Sequence, residues 1–133
     1  MANSDVSLIQ SLYAAFGRGE IAKIIAALAP DVTWEVVGRS SDHPLAGKRQ
    51  GAAAVQEFFD TLAKIQEATD FSPREFHAAD GRVFVLGHYG WKFRNTGRTV
   101  ETDWIHVFTV KDGKVVQFRE FTDTAKFAEA YRG

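Results

Sequence analysis

Residues 104–121 run WIHVFTVKDGKVVQFREF, two apolar segments on either side of Asp112-Gly113. An Asp-Gly pair between alternating segments is a strong signal for a two-residue β-hairpin turn. Counting back from that turn puts Ile105 opposite Glu120. The hairpin therefore predicts an antiparallel sheet in this half of the chain, with the Glu120 carboxylate on a face that also carries apolar side chains.

The second half of the chain holds four alternating runs separated by turn signals. They span about residues 71–79, 82–94, 98–111 and 114–121. A three-residue turn at Asn95-Thr96-Gly97 pairs Gly87 with Ile105. The same register pairs Tyr89 with Asp103. These four residues are expected on the face of Glu120, in an antiparallel meander.

Helical spacing dominates the first half of the chain. Apolar residues recur every three or four positions over about residues 4–16, 20–29 and 52–68, a short strand begins at Val32, and a last short helix covers 123–131. Asp123 is the expected N-cap of that last helix. Helices early and strands late indicate a single α+β domain over residues 1–133.

Both faces of the predicted sheet are apolar in the middle. One face carries Glu120, and the other carries Trp104 and His106. Three helices cover only one face well, and an uncovered apolar patch of this size is uncommon on a monomer. We therefore expect a homodimer packed through the face that bears Trp104 and His106.

Charge and composition exclude several classes of partner. The chain has 16 Lys plus Arg against 17 Asp plus Glu, and no cysteine. No broad basic field is present for nucleic acid or an anionic membrane, and thiolate chemistry is excluded. The N-terminus lacks a signal-peptide pattern and no long apolar segment occurs, so a cytoplasmic protein is expected.

Motifs for cofactors and metals are absent from the sequence. It contains no dinucleotide-binding glycine motif, no phosphate-binding loop and no nucleophile elbow. The four histidines have no metal-ligand spacing. We expect no cofactor and no metal. His43, in the loop of residues 38–50, is expected to be solvated, although it could reach a pocket mouth as an acid or base.

A pocket is expected where Gly87 approaches Ile105 and Glu120, because a strand glycine leaves space that a side chain would otherwise fill. Aromatic helix residues would line a cavity for a hydrophobic ligand of roughly 10 to 20 heavy atoms, within the usual range of about 300 Å³ upward. A bulge at Gly87 and simple core packing are the structural alternatives. The candidate ligand-binding residues are Tyr13, Phe16, Trp34, Val36, Phe58, Phe59, Gly87, Ile105 and Phe118.

Three residues are candidates for catalysis. Glu120 in an apolar pocket would lose solvation, which suits a carboxyl group to proton transfer near neutral pH. Asp103 could be a second carboxylate, and Tyr89 a hydrogen-bond donor to a substrate oxygen. The structural alternatives are a salt bridge for Glu120, a rim position for Asp103 and packing for Tyr89.

Several segments resemble a known family. LAPDVTWEV at 28–36, LAGKRQG at 45–51, the TGR turn at 96–98 and WIHVFTVKDGKVVQFREFTDT at 104–124 are similar to SnoaL-like proteins of the nuclear transport factor 2-like superfamily. The resemblance implies a cone, in which a curved, mixed, mainly antiparallel sheet wraps around three to four helices and encloses an apolar pocket. It also implies a homodimer packed through the outer sheet face.

The same resemblance bears on individual residues. The catalytic aspartate of limonene epoxide hydrolase falls at Glu120, while its arginine and second aspartate fall at or near Gly87 and Tyr89. A late-strand carboxylate is also the base in SnoaL-type cyclases. The three positions that carry the ketosteroid isomerase machinery are here apolar, namely Leu12, Val36 and Ile105.

The function expected from the sequence is that of a small-molecule enzyme. It would be a cofactor-independent isomerase, cyclase or hydratase that uses Glu120 as acid and base on a hydrophobic ligand. Two alternatives stay open, a non-catalytic carrier or sensor of hydrophobic ligands and a dimerisation module with a vestigial pocket.

Overall fold

The fold is an α+β cone, described for residues 2–133 by a computed structural model. The helices are α1 (Ala2–Gly17), α2 (Ile21–Ala26), α3 (Ala52–Ile65) and α4 (Thr124–Arg132). The strands are β1 (Leu28–Val36), β2 (Gly47–Gln50), β3 (Gln66–Ala79), β4 (Arg82–Phe93), β5 (Thr99–Lys111) and β6 (Lys114–Thr122). The α+β class and the single curved sheet predicted from the sequence are confirmed.

All six strands form one sheet in the order β2-β1-β6-β5-β4-β3. Strands β3 to β6 are the predicted antiparallel meander. Strand β1 pairs parallel with β6 on one side and antiparallel with β2 on the other, which makes the sheet mixed. Helices α1 and α3 pack on the inner face, so the core lies between these helices and the sheet.

The two Asp-Gly turns form as their sequences predict. Asp112 and Gly113 have φ angles of 52° and 75°, and Asp80 and Gly81 have φ angles of 51° and 74°. Positive φ at both central residues is the hallmark of a type I′ hairpin turn, whose twist matches that of the strands. The Asp123 side chain also caps α4 as expected, because its Oδ1 accepts a hydrogen bond from the Lys126 amide.

The predicted pairing of Ile105 with Glu120 is wrong by one residue. Lys111 faces Lys114 as counted, but Val110 pairs with Val115 and Thr109 with Gln117. Val116 is therefore an extra residue in β6, and this bulge shifts the register for the rest of the hairpin. As a result Glu120 pairs with His106.

The second register error lies in the β4–β5 connection. Its loop holds four residues, 94–97, because the Phe93 amide donates to the Arg98 carbonyl and closes it. Gly87 consequently pairs with Trp104, and not with Ile105. Likewise Tyr89 pairs with Thr102, and not with Asp103.

These two register shifts place each β5 side chain on the opposite face of the sheet from the one predicted. Trp104 and His106 lie on the inner face and are 1% and 5% exposed, so they cannot form the predicted dimer surface. Asp103 and Ile105 lie on the outer face, where Ile105 is 42% exposed. Their assignment to the pocket was wrong.

Gly87 leaves room for an aromatic ring and does not form the floor of a cavity. A Cβ at this position would lie 2.7 Å from the Cε2 and Cη2 atoms of Trp104. The absence of a side chain therefore lets the Trp104 indole lie flat against β4. Trp104 also packs beside Phe71 and Tyr89, at centroid distances of 5.5 Å and 5.9 Å.

Several helices and strands differ from their predicted extents. Helix α2 ends at Ala26, and β1 begins at Leu28, ahead of Pro30. The segment Gly47–Gln50, expected as loop, is an edge strand that pairs with Thr33–Val36. Within residues 2–133, no helix combines the length and apolar character needed to cross a bilayer.

We predict that Gly87→Ala lowers the free energy of unfolding by about 1–3 kcal/mol, because the added methyl group overpacks against Trp104. Urea denaturation of the wild type and the variant measures the change. Gly17→Ala is the matched control, since a Cβ there meets nothing within 4 Å. A Gly87→Ala protein as stable as the control variant would contradict the described position of Trp104.

Candidate active site

The centre of the inner face holds a chain of three hydrogen-bonded side chains. The Tyr13 hydroxyl lies 2.6 Å from His106 Nδ1, and His106 Nε2 lies 2.8 Å from Glu120 Oε1. Because the Glu120 carboxylate accepts, Nε2 carries the imidazole proton and Nδ1 accepts from Tyr13. We call these three residues the Tyr-His-Glu relay.

Burial strengthens the relay. The side chains of His106 and Glu120 are 6% and 16% exposed. Burial, and then the negative charge of Glu120, raise the pKa of Tyr13 well above its ordinary value, so its hydroxyl stays protonated and donates. A hydrogen bond to an ionised group in such surroundings is stronger than one in water.

Aromatic rings fix the orientation of the His106 imidazole. Trp104 stacks on it with ring centroids 3.9 Å apart, and Phe118 meets it edge-on at 4.9 Å. Trp104 is itself placed by Gly87, one strand away. The imidazole therefore has little freedom to rotate away from Glu120.

Glu120 lies where two cavities meet. The helix-side cavity, about 80 Å³, lies between α1, α3 and the sheet and is lined by Tyr13, Phe16, Trp34, Phe59, Phe118 and Glu120, among others. The loop-side cavity, about 50 Å³, lies under residues 36–46 and is lined by Val36, His43, Phe58, Gln66, Tyr89 and Glu120, among others. Phe58, Leu62, Trp91 and Glu120 line both.

Most of the predicted ligand-binding residues line these cavities. Gly87 and Ile105 do not, for the reasons given above. Each cavity is smaller than the predicted volume, and neither lies over Gly87.

Tyr89 brings a hydroxyl group to the loop-side cavity. The side chain is 2% exposed, and the hydroxyl approaches Glu120 and Thr122 without a hydrogen bond of ordinary geometry. Burial, and then the charge of Glu120, raise the Tyr89 pKa, so the group is a neutral donor. A buried donor without a partner costs roughly 1–3 kcal/mol, and such a group calls for an explanation.

His43 is buried, although a solvated position was expected. The Leu45 amide donates to its Nδ1 at 3.3 Å, and its Nε2 lies 3.1 Å from Gln66 Oε1. The ring packs against Phe93, Phe127 and Tyr131. His43 thereby ties the β1–β2 loop to β3 and to the last helix.

The same loop is held by an ion-pair cluster. Asp42 Oδ2 accepts from Arg39 Nε at 2.9 Å, and Asp42 Oδ1 pairs with Arg132 at the end of α4. Asp42 is itself buried. One wall of the loop-side cavity is therefore anchored at two points.

Asp103 belongs to a cluster on the outer face of the sheet, opposite the face that carries the relay. Its Oδ1 lies 2.9 Å from His88 Nδ1, and Glu101 Oε1 lies 3.5 Å from His88 Nε2. Within residues 2–133, no group of three or more acidic or histidine side chains has the geometry of a metal site.

The sequence analysis did not single out Gln66, and it misplaced His106 and His43. His106 was assigned to the outer face, although the alternation within β5 favours the inner one. His43 and Gln66 meet across the fold, and no local pattern in the sequence indicates that contact.

We predict that His43 makes the protein less stable in mild acid. Burial lowers the His43 pKa in the folded state, so below its ordinary pKa of about 6.5 the unfolded chain binds the proton more readily. Neutral His43 contributes fully to the free energy of unfolding above that pH. The contribution is lost as the pH falls toward the lower pKa that His43 has in the folded state, by up to about 1.4 kcal/mol per pH unit for one proton.

Urea denaturation between pH 7.5 and 5 measures this effect. We expect His43→Gln to have a flatter dependence of unfolding free energy on pH than the wild type. His77→Gln is the control, because His77 is exposed on β3. Equal slopes for the wild type and His43→Gln would show that protonation of His43 is not coupled to folding.

Comparison with known proteins places the chain in a family. The family model for the SnoaL-like domain matches residues 9–118. An NTF2-like protein of Burkholderia xenovorans LB400 is 33% identical, with a TM-score of 0.89 and 98% of each chain covered. TerC, co-crystallised with polyporic acid, is 28% identical, with a TM-score of 0.86 and 98% and 99% of the two chains covered.

The curated relatives that match do not indicate an activity. Uncharacterised proteins of Mycobacterium tuberculosis and Mycobacterium bovis are 27% identical over 121 residues, which cover 90% of this chain and 88% of each relative. The family match spans most of the chain and agrees with the observed cone. The chain belongs to the SnoaL-like domain family.

Proposed function

We propose that this protein is a cofactor-independent enzyme of the isomerase, cyclase or hydratase type, with Glu120 as its acid and base. One observation carries the proposal. Glu120 accepts a hydrogen bond from His106 at the junction of two cavities, within reach of the neutral Tyr89 hydroxyl. The ligand would be a small hydrophobic molecule with a carbonyl group.

The chemistry follows from a carboxylate beside a hydroxyl donor. The Glu120 carboxylate removes a proton from a carbon next to the ligand carbonyl, and the electron pair moves onto the carbonyl oxygen. Tyr89 donates a hydrogen bond to that oxygen as its charge develops. The Glu120 carboxylic acid then returns the proton to carbon, at the same position or at another one.

The rest of the relay would orient the base. The bond from His106 Nε2–H holds one carboxylate oxygen, and Tyr13 fixes the His106 tautomer. His106 and Tyr13 are thus positioning residues. Fixing the carboxylate in advance lowers the entropy that the transition state would otherwise lose.

Two further observations support an aromatic ligand. Phe16, Trp34, Phe59 and Phe118 surround the helix-side cavity, and Trp34 stacks on Phe118 at 4.0 Å. Aromatic walls favour flat apolar molecules. The similar protein TerC was co-crystallised with polyporic acid.

Hydrogen–deuterium exchange on carbon tests the proposal. We use 2-indanone, a flat ketone of ten heavy atoms whose CH2 groups lie between ring and carbonyl. In D2O we expect the wild type to accelerate loss of the CH2 proton signal by at least about 100-fold over buffer, as general acid–base catalysis allows. We expect Glu120→Gln to abolish this acceleration, and Tyr13→Phe to reduce it.

Glu35→Gln is the matched control, because Glu35 is on the outer face and pairs with Arg119. Binding of 2-indanone without exchange would favour the carrier or sensor. Neither binding nor exchange would favour a module with a vestigial pocket, for which the small cavity volumes are the supporting observation. Equal exchange in the wild type and Glu120→Gln would refute the role of Glu120.

We also propose a homodimer, through an outer-face patch that differs from the one first predicted. Ile105 and Phe121 face each other across β5 and β6, and they are 42% and 37% exposed. Leu86 pairs beside Ile105 on the same face and is half-buried. These side chains form a continuous apolar patch that a second copy would cover.

Light scattering at micromolar protein tests this assembly. We expect a dimer for the wild type and at least about 100-fold weaker association for Ile105→Glu, because an unpaired charge would be buried. Ala22→Glu is the control on an exposed position of α2. A monodisperse wild-type monomer would contradict the proposal.

A further inference from the structure

We propose that Gln66 is a second hydrogen-bond donor of the site, and that it selects a neutral ligand with a carbonyl head and a flat apolar tail. The head would lie in the loop-side cavity and the tail in the helix-side cavity, with the reacting carbon beside Glu120. The inference deepens the proposed function, on which it rests. Gln66 was not among the residues that the sequence singled out.

The orientation of the Gln66 amide follows from its neighbour. The Leu45 amide donates to His43 Nδ1, so His43 Nε2 carries the proton. That proton is donated to Gln66, which must therefore present its Oε1 oxygen to His43. The Gln66 NH2 group is then turned away from His43.

This NH2 group donates no hydrogen bond to residues 2–133, although unlike the Tyr89 hydroxyl it is not fully buried. Gln66 is 3% exposed and lines the loop-side cavity, as does Tyr89. Buried polar groups of proteins are nearly always paired. Two unpaired donors in one cavity match a ligand that brings oxygen acceptors.

The charges around the cavities favour a neutral ligand. Among the described residues, the helix-side cavity is lined by no Lys or Arg and by one carboxylate, Glu120. The one arginine that lines the loop-side cavity, Arg39, is paired with Asp42. An anionic head would meet Glu120 without a free cation to balance it, which is costly in a buried site.

The cavity volumes require a ligand of this size to occupy both cavities and to displace some of the lining side chains. An apolar cavity of about 150 Å³ holds benzene, and the two cavities, of about 50 and 80 Å³, stay below that size even together. A ten-atom ketone therefore extends past Glu120 from one cavity into the other, and the lining side chains move outward as it binds. The Tyr89 hydroxyl and the Gln66 NH2 group lie on one side of that carboxylate, and the aromatic wall, which carries one unpaired donor of its own in Trp34 Nε1, lies on the other.

A matched pair of probes tests the inference. 2-Indanone and indane share a ring skeleton, and only the ketone has an oxygen acceptor. Tryptophan fluorescence at pH 8 gives the dissociation constant of each for the full-length protein. We expect the wild type to prefer the ketone by at least about 10-fold, the value of one good hydrogen bond of roughly 1.4 kcal/mol.

Gln66→Glu separates the two roles of the side chain. A carboxylate at this position still accepts from His43 but offers the ligand no N–H, and urea denaturation of the variant measures whether the added charge leaves the fold intact. We expect the preference for the ketone to fall at least about fivefold in Gln66→Glu and in Tyr89→Phe, with binding of indane little changed. Gln10→Glu, on an exposed position of α1, controls for the added charge.

The outcomes separate this inference from the proposed function. A ketone preference that depends on Gln66, without carbon exchange, would sustain the inference and overturn the enzymatic proposal. Carbon exchange by the wild type, with an unchanged preference for the ketone in Gln66→Glu, would sustain the enzymatic proposal and overturn the inference about Gln66. Binding of neither probe, or equal binding of both to the wild type, overturns the inference.

Discussion

A single extra residue, Val116, decides which side chains meet at the centre of the sheet. Without the bulge, Glu120 would lie opposite Ile105 and have no polar partner across the hairpin. With it, Glu120 pairs with His106, whose imidazole reaches the carboxylate and Tyr13 at once. The candidate site therefore depends on a local irregularity of β6, as is common for bulges near functional positions.

The aromatic core and the relay depend on each other. Trp104 stacks on His106 and lies against Gly87, so a backbone position on β4 limits where the imidazole can go. The same dense packing removes water, which makes each hydrogen bond of the relay stronger and each unpaired donor more costly. Among the described residues, this cost falls on the Tyr89 hydroxyl, which lines the loop-side cavity, and on the indole N–H groups of Trp34 and Trp104.

The fold could be predicted because its signals are local. Helical spacing, Asp-Gly turns and the Asp123 cap each act over a few residues, and each is found in the structure. The residues of β5 that face inward could also have been predicted from the sequence. Its odd-numbered positions include Glu101, Asp103 and Lys111, and its even-numbered positions include Trp104 and Phe108. This alternation indicates the inner face more reliably than counting from turns, because one bulge or one longer loop inverts a count.

The rest of the site could not be predicted in this way. The contact between His43 and Gln66 joins residues 23 positions apart, on a loop without periodicity and at the start of a strand. Cavity volume depends on how rings such as Trp34 and Phe118 stack, and composition does not determine that packing. The position of Glu120 on the inner face was predicted, but its partner was not.

The protonation pattern of His106 tests the central claim most directly. Long-range proton–nitrogen correlation NMR on protein with ¹⁵N-labelled histidine distinguishes the two ring nitrogens. We expect a proton on Nε2, directed at Glu120, and an unprotonated Nδ1 that accepts from Tyr13, with the Nδ1 signal shifted in Tyr13→Phe. A proton on Nδ1, or an Nδ1 signal unaffected by Tyr13→Phe, would contradict the relay.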